Sequence, residues 1–186
     1  MLTADAIRHR RSIKRFAARP VSREEIETLL DAASLAPNHR LTQPWRFHVL
    51  GPAARYAYGL ALGDRKARKL PDPDAARALR ETVADEHRAL PAMIVVSVVQ
   101  HADPEIREED YAAVMMGVQN LALIAVDMGL GTQIRTGGVM SDPSARAAVG
   151  LGSDERIVAV VNVGAPADVP PPKSRHPATA LTTWTD

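Results

Sequence analysis

The sequence predicts an α+β domain, and three observations carry that prediction. An alternating stretch at 45–50, with Phe47 and Val49 apolar, and β-branched runs at 93–99 and 157–163 read as strands. Helical patterns fill the intervals, the clearest being 23–35 and 75–90. The stretch from Glu109 to Met128 has no proline, only one glycine, Gly117, and apolar residues on nearly every side. A helix of that kind must be buried over most of its surface, either centrally or against another subunit, and we assign it to a dimer interface.

At 186 residues the chain suits one domain, residues 1–186, able to bury roughly 70% of its unfolded surface. The formal net charge of +1, from 23 Lys+Arg and 22 Asp+Glu, speaks against a protein dedicated to nucleic acid. With no cysteine there is no disulfide or thiolate chemistry, and a reducing cytoplasm is the expected compartment. Residues 1–16 are too polar for a signal peptide, and the longest apolar run, Ala92 to Val99, is far shorter than the ~20 residues of a membrane helix. Aromatics are only 4%, so the core must be built from small aliphatic side chains on closely packed helices.

Taken in order, Thr3 is the expected cap of a short first helix leading into Arg8 to Phe16. That stretch concentrates positive charge beside one hydroxyl, Ser12, and suits an anion, since hydrogen bonds to ionised groups contribute about 1.5–3 kcal/mol each. By itself it reads more readily as a solvated basic face. Ser22 with Glu25 is a capping-box signature, and Ile26, Leu29, Leu30 and Ala33 form one apolar stripe behind it. Pro37 to Pro44 is a loop, and Trp45 to Leu50 a strand. From Pro52 to Leu70 the expectation is a short helix and a mobile connection, followed by a break at 70–74. Pro91 separates the next helix from the second strand, and His101 to Pro104 is a turn before the long helix. Gly129 and Gly131 end that helix, and 131–138 is a loop or short strand. A short helix from Asp142-Pro143 to Val149 precedes the third strand. The proline-rich tail cannot fold compactly alone, although Ala180 to Trp184 could add a strand to a neighbouring sheet.

Several chemistries are excluded by spacing. Gly129-Leu130-Gly131 follows a helix instead of a strand, and Ile134 occupies the place of the third glycine of a dinucleotide-binding fingerprint. The six histidines show no metal-ligand spacing, and no Gly-x-Ser-x-Gly elbow exists. His39 lies in the loop before Gln43-Pro44-Trp45, where an ordinary surface histidine and a site residue are equally available readings.

The arrangement Arg10-Arg11-Ser12-x-Lys14-x-Phe16, a capped helix ending Ala36-Pro37, and then Gln43-Pro44-Trp45-x-Phe47 resembles the nitroreductase family of FMN-dependent oxidoreductases. The likeness continues through the apolar helix, the Gly-Leu-Gly turn, Ile134-Arg135-Thr136-Gly137 and the strand ending Val163-Gly164-x-Pro166, and so spans nearly the whole chain. It implies a three-layer α/β/α fold with a central, mainly antiparallel sheet and a long buried helix at a homodimer interface. It also implies that Arg10, Arg11, Ser12 and Lys14 hold the FMN phosphate, ribityl and pyrimidine edge. Leu35 and His39 would reach the flavin bound mainly by the other subunit, while Ile134, Arg135 and Thr136 lie along it. Arg175 takes the place of a second phosphate-binding arginine. Larger relatives carry Ser and Asn where this chain has Asn38 and Leu41, which removes a polar flavin contact.

The implied activity is hydride transfer from NAD(P)H through FMN to a small-molecule electron acceptor, nitroaromatic or quinone, by a ping-pong mechanism. No metal, nucleic acid or membrane is implied. The rival readings are another FMN redox reaction on the same scaffold, a non-catalytic flavin-binding module or sensor, and a flavin-free structural dimer.

Overall fold

The computed structural model describes residues 1–185. Its sheet has four strands, β1 (Trp45–Val49), β2 (Ala92–Val99), β3 (Gly131–Arg135) and β4 (Glu155–Gly164), ordered β1-β2-β4-β3. Every neighbouring pair is antiparallel. Six α-helices flank it: α1 (Thr3–His9), α2 (Arg23–Ser34), α3 (Pro52–Ala67), α4 (Pro73–Arg88), α5 (Pro104–Asp127) and α6 (Pro143–Val149). The result is the three-layer α/β/α arrangement.

Strand β2 explains why there are layers on both sides. Its residues alternate between faces, and both sets are apolar, so neither face can be left to solvent. Ile94, Val96 and Val98 meet Leu29 and Ala33 of α2 and Val114, Val118 and Leu121 of α5. Met93 and Val95 meet Tyr58, Ala61 and Leu62 of α3, Val83 of α4 and Ala145 of α6.

The capping box at the start of α2 is present in full: Glu25 N–H donates to Ser22 Oγ, and Ser22 N–H donates to the Glu25 carboxylate. Thr3 does not cap α1. It is already helical, and Leu2 stands at the cap without a side-chain bond. The expected short helix and mobile connection at 52–70 is instead one 16-residue helix. Its glycines are the reason. A Cβ at Gly59 would lie 2.7 Å from Ala84 Cα, and one at Gly63 would lie 2.8 Å from Arg80 Cα. Close approach to α4 therefore outweighs the poor intrinsic helicity of glycine, about 1 kcal/mol each, and small contact residues leave no periodic signal to read. Helix α5 also begins earlier than Glu109, because Pro104 occupies the first helical turn and Asp103 accepts the Glu105 N–H at 2.9 Å. No strand forms in the described part of the tail, where 178–181 is a 3-10 turn.

Gly117 serves contacts within the chain, since a Cβ there would meet the Ala33 carbonyl of α2 at 2.7 Å. Helix α5 nonetheless keeps an uncovered side that includes Tyr111, Ala112 and Met116. Around it lie exposed Leu2, Ile7, Leu35 and Leu41, and Leu35 shares a groove with Leu123 and Ile124 of α5. Among the described residues, no helix is long and apolar enough to cross a membrane.

Candidate active site

Helix α1 stops at His9, and the basic stretch continues as extended chain instead of helix. Ser12 bridges Thr132 in parallel, Ile13 N–H donates to the Thr132 carbonyl at 2.9 Å, and Ala17 N–H donates to the Ala165 carbonyl at 2.8 Å. Residues 12–17 thus cover the free edge of β3 and the end of β4, where unpaired backbone would otherwise be exposed. Two-residue alternation sorts the side chains. Ile13 is buried against Gly131, where a Cβ would come within 2.4 Å of its Cγ1, while Lys14 and Phe16 face a cleft.

That cleft, about 400 Å³, is lined by Lys14, Phe16, His87, Pro91, Gln133, Arg135 and Asn162, among others. Gln133 and Asn162 stand opposite each other on β3 and β4, and Asn162 Nδ2 donates to Gln133 Oε1 at 3.3 Å. The buried Asn162 Oδ1 has no partner. Gly164 lets Pro91 and Phe16 close together, because a Cβ there would lie 2.8 Å from Pro91 Cγ and 3.0 Å from Phe16 Cδ1.

Arg135 Nη1 contacts His87 Nε2 at 3.0 Å, and neither Lys14 nor Arg135 forms a carboxylate ion pair among the described residues. Glu86 is the one acid on the lining. A smaller cavity of about 140 Å³ shares Arg135 and continues along Thr136, Gly137 and Gly138 to Tyr58 and Arg65. Burial pushes the Tyr58 hydroxyl up to about 12, so it stays protonated at neutral pH. The cleft therefore offers two cations, neither ion-paired and outnumbering its single acid, beside an amide floor with an unused acceptor, a setting for an anionic ligand with a polar edge.

The residues expected to form the site are not all brought together. Lys14 and Arg135 line the cleft, Arg135 and Thr136 the adjoining cavity. Arg10, the C-cap of α1, and Ser12 lie on the same extended segment. Arg11 turns the other way, into an apolar groove with Met1, His9 and Ile13, and donates to the Arg8 and Arg10 carbonyls. Ile134 packs against the core on the α2/α5 side, opposite Arg135. Arg175 is exposed on the tail and lines neither cavity.

Leu35 and His39 lie elsewhere again. Trp45, which follows the His39 loop, pairs with Val98, whereas Asn162 in the cleft pairs with Met93. Those levels are five residues apart on β2, about 17 Å along the strand. The His39 loop is held rigidly in an unusual conformation: Arg40, Leu41 and Gln43 have φ of 65°, 52° and 46°. Such backbone persists only when its surroundings over-determine it. Asn38 Oδ1 accepts the Gln43 N–H at 2.7 Å, the Thr42 hydroxyl donates to buried Asp110, and His39 Nδ1 lies 3.0 Å from Glu109. The His39 and Arg40 contacts hold the Glu109 carboxyl below the usual glutamate range.

The model of the nitroreductase family matches residues 7–165. The chain belongs to the nitroreductase family. YfhC of Bacillus subtilis (strain 168), a candidate NAD(P)H nitroreductase by name, is 31% identical over 176 residues, covering 93% of this chain and 89% of its own. A solved nitroreductase-like family protein from Bacillus cereus has a TM-score of 0.86 at 28% identity, covering 100% of this chain and 97% of that one. A nitroreductase-type chain from Desulfovibrio desulfuricans, solved in complex with FMN, has a TM-score of 0.73 at 25% identity, covering 99% and 96%. In this member of the nitroreductase family the cleft is also lined by Gln133, Asn162 and His87, which none of the sequence motifs single out. Asn162 had a readable signal, a lone amide inside the apolar run 157–163, whereas His87 had none.

Proposed function

We propose that the chain is an NAD(P)H-dependent FMN oxidoreductase that reduces nitroaromatic, quinone or related small acceptors by a ping-pong mechanism, acting as a homodimer. The observation that carries this reading is the cleft: cationic at Lys14 and Arg135, unpaired with any carboxylate, and floored by Gln133 and Asn162 with one buried acceptor unused. These residues fit FMN, whose phosphate needs cations and whose heterocycle has a polar edge needing donors and acceptors. When bound, FMN supplies the hydride and electron chemistry, so no dedicated catalytic acid is required of the chain.

The chain's own groups bind and orient. Arg10, Ser12 and Arg135 hold the anionic end. Lys14, projecting into the cleft, stabilises negative charge on the polar edge of the ligand, and the Asn162–Gln133 pair sets its register. Thr136, Gly137 and Gly138 offer backbone beside the adjoining cavity, where a second planar molecule can approach.

The His39 loop leads into Trp45 at the end of β1, a level about 17 Å along β2 from that of Asn162 in the cleft, so we assign His39 to the flavin site of a second copy. The uncovered apolar side of α5 with Leu35 and Leu41 provides the surface for that copy. Steady-state kinetics test the ping-pong reading. Varying NADPH or NADH at several fixed nitroaromatic concentrations should give parallel double-reciprocal lines; intersecting lines would mean that both substrates occupy the site together.

A further inference from the structure

On the lining of the larger cleft, α4 presents a buried histidine that the proposed function leaves without a role. His87 is 4% exposed. Its Nδ1 lies 2.7 Å from the Val83 carbonyl oxygen, which can only accept, so Nδ1 carries the proton. Nε2 is then a lone pair, and it faces Arg135 Nη1 at 3.0 Å. Burial holds the imidazole below its ordinary value; the bond to Val83 opposes this, and the Arg135 and Lys66 charges reinforce it. The ring has little freedom to turn, with Tyr58 tilted against it at a centroid separation of 6.2 Å and Gly59 bringing α3 against its Cβ.

We propose that His87 is a positioning residue: a neutral acceptor that orients the Arg135 guanidinium at the cleft while leaving its charge uncompensated for an anionic group of the cofactor. A carboxylate at position 87 would hold the arginine equally well, but it would cancel the charge. A guanidinium has five donors, and His87 engages Nη1, leaving the others for a ligand. This inference rests on the reading that Arg135 faces FMN.

The test is FMN affinity of the apo-protein, read by quenching of flavin fluorescence, with folding of each variant checked by circular dichroism. Arg135→Met should weaken FMN binding about 10-fold or more, as expected for a charge-assisted bond. His87→Leu should weaken it about 2- to 10-fold, the effect of one orienting hydrogen bond. The double variant should bind no worse than Arg135→Met alone, because His87 acts through the arginine. His87→Gln, whose amide reaches the Nε2 position, should recover wild-type affinity, whereas His87→Asn, which is polar but too short, should not. That pair decides the matter even if His87→Leu fails to fold. Losses that multiply in the double variant, or Gln and Asn variants that bind alike, would overturn the role of His87. An Arg135→Met protein with wild-type affinity would instead overturn the placement of Arg135 itself, and with it this inference.

Discussion

Leu35→Ser is the perturbation that bears most sharply on a site shared between two copies. Leu35 closes α2 and is 81% exposed within the chain, on the apolar surface beside the uncovered side of α5. Fully burying a leucine side chain is worth about 1.5–3 kcal/mol, so covering this one contributes about 1.2–2.4 kcal/mol per copy. A twofold dimer buries it twice, about 2.4–4.8 kcal/mol in all, which corresponds to a roughly 60- to 3,000-fold weaker dimer after substitution. Analytical ultracentrifugation across a dilution series measures that shift directly. Flavin occupancy, read from the visible absorbance of the same samples, should track the dimer fraction and recover when the variant is concentrated. A variant that dimerises like the wild type would refute the interface, and a monomer that keeps its flavin would refute the shared site.

Three further outcomes follow from the packing and charge. Arg10→Ala should weaken FMN binding about 10- to 150-fold, as expected for one charge-assisted contact, while apo-protein stability shifts by less than about 0.5 kcal/mol; calorimetry showing equal loss of both would contradict the assignment. Gly59→Val should destabilise by about 1–3 kcal/mol, because its Cβ would sit 2.7 Å from backbone of α4, and a denaturant midpoint equal to wild type would contradict the close crossing. Glu155 accepts hydrogen bonds from Ser97 and His48, and these hold its carboxyl below the ordinary glutamate value of 4.5 against the opposing effect of burial. Because the folded-state value is depressed, its stabilisation is present above 4.5 and fades as the pH falls through the folded value. Glu155→Gln should therefore be less stable than wild type at neutral pH, with the gap narrowing on acidification; a gap independent of pH would contradict the ionised bond.

Strands β2 and β4, the capped helix α2 and the long α5 are legible because their signals are local: β-branched runs, Ser22 with Glu25, and an apolar residue on nearly every side; β1 shows only alternation, and β3 is too short to separate from a loop. Helix α3 is obscured because it meets α4 through Gly59 and Gly63, which pack by being small and interrupt the hydrophobic period that Tyr58 and Leu62 would otherwise show. The site divided along the same line. Lys14 and Arg135 stand in recognisable motifs, and both reach the cleft. Arg11 and Ile134 stand in the same motifs, yet the two-residue alternation of extended chain turns them to other faces. His87 shares the buried face of α4 with Val83 and Ala84, where its spacing marks it only as a core position, and only the tertiary fold brings it to Arg135.

The central claim, a flavin oxidoreductase, is tested most directly by the visible spectrum of the purified protein before and after anaerobic addition of NADPH and, separately, NADH. Oxidised flavin absorbance that is bleached by at least one of the two donors, and restored on adding a nitroaromatic or quinone acceptor, is the predicted result. Flavin that binds yet keeps its oxidised spectrum with both donors, or a colourless protein that takes up no FMN, would contradict the account.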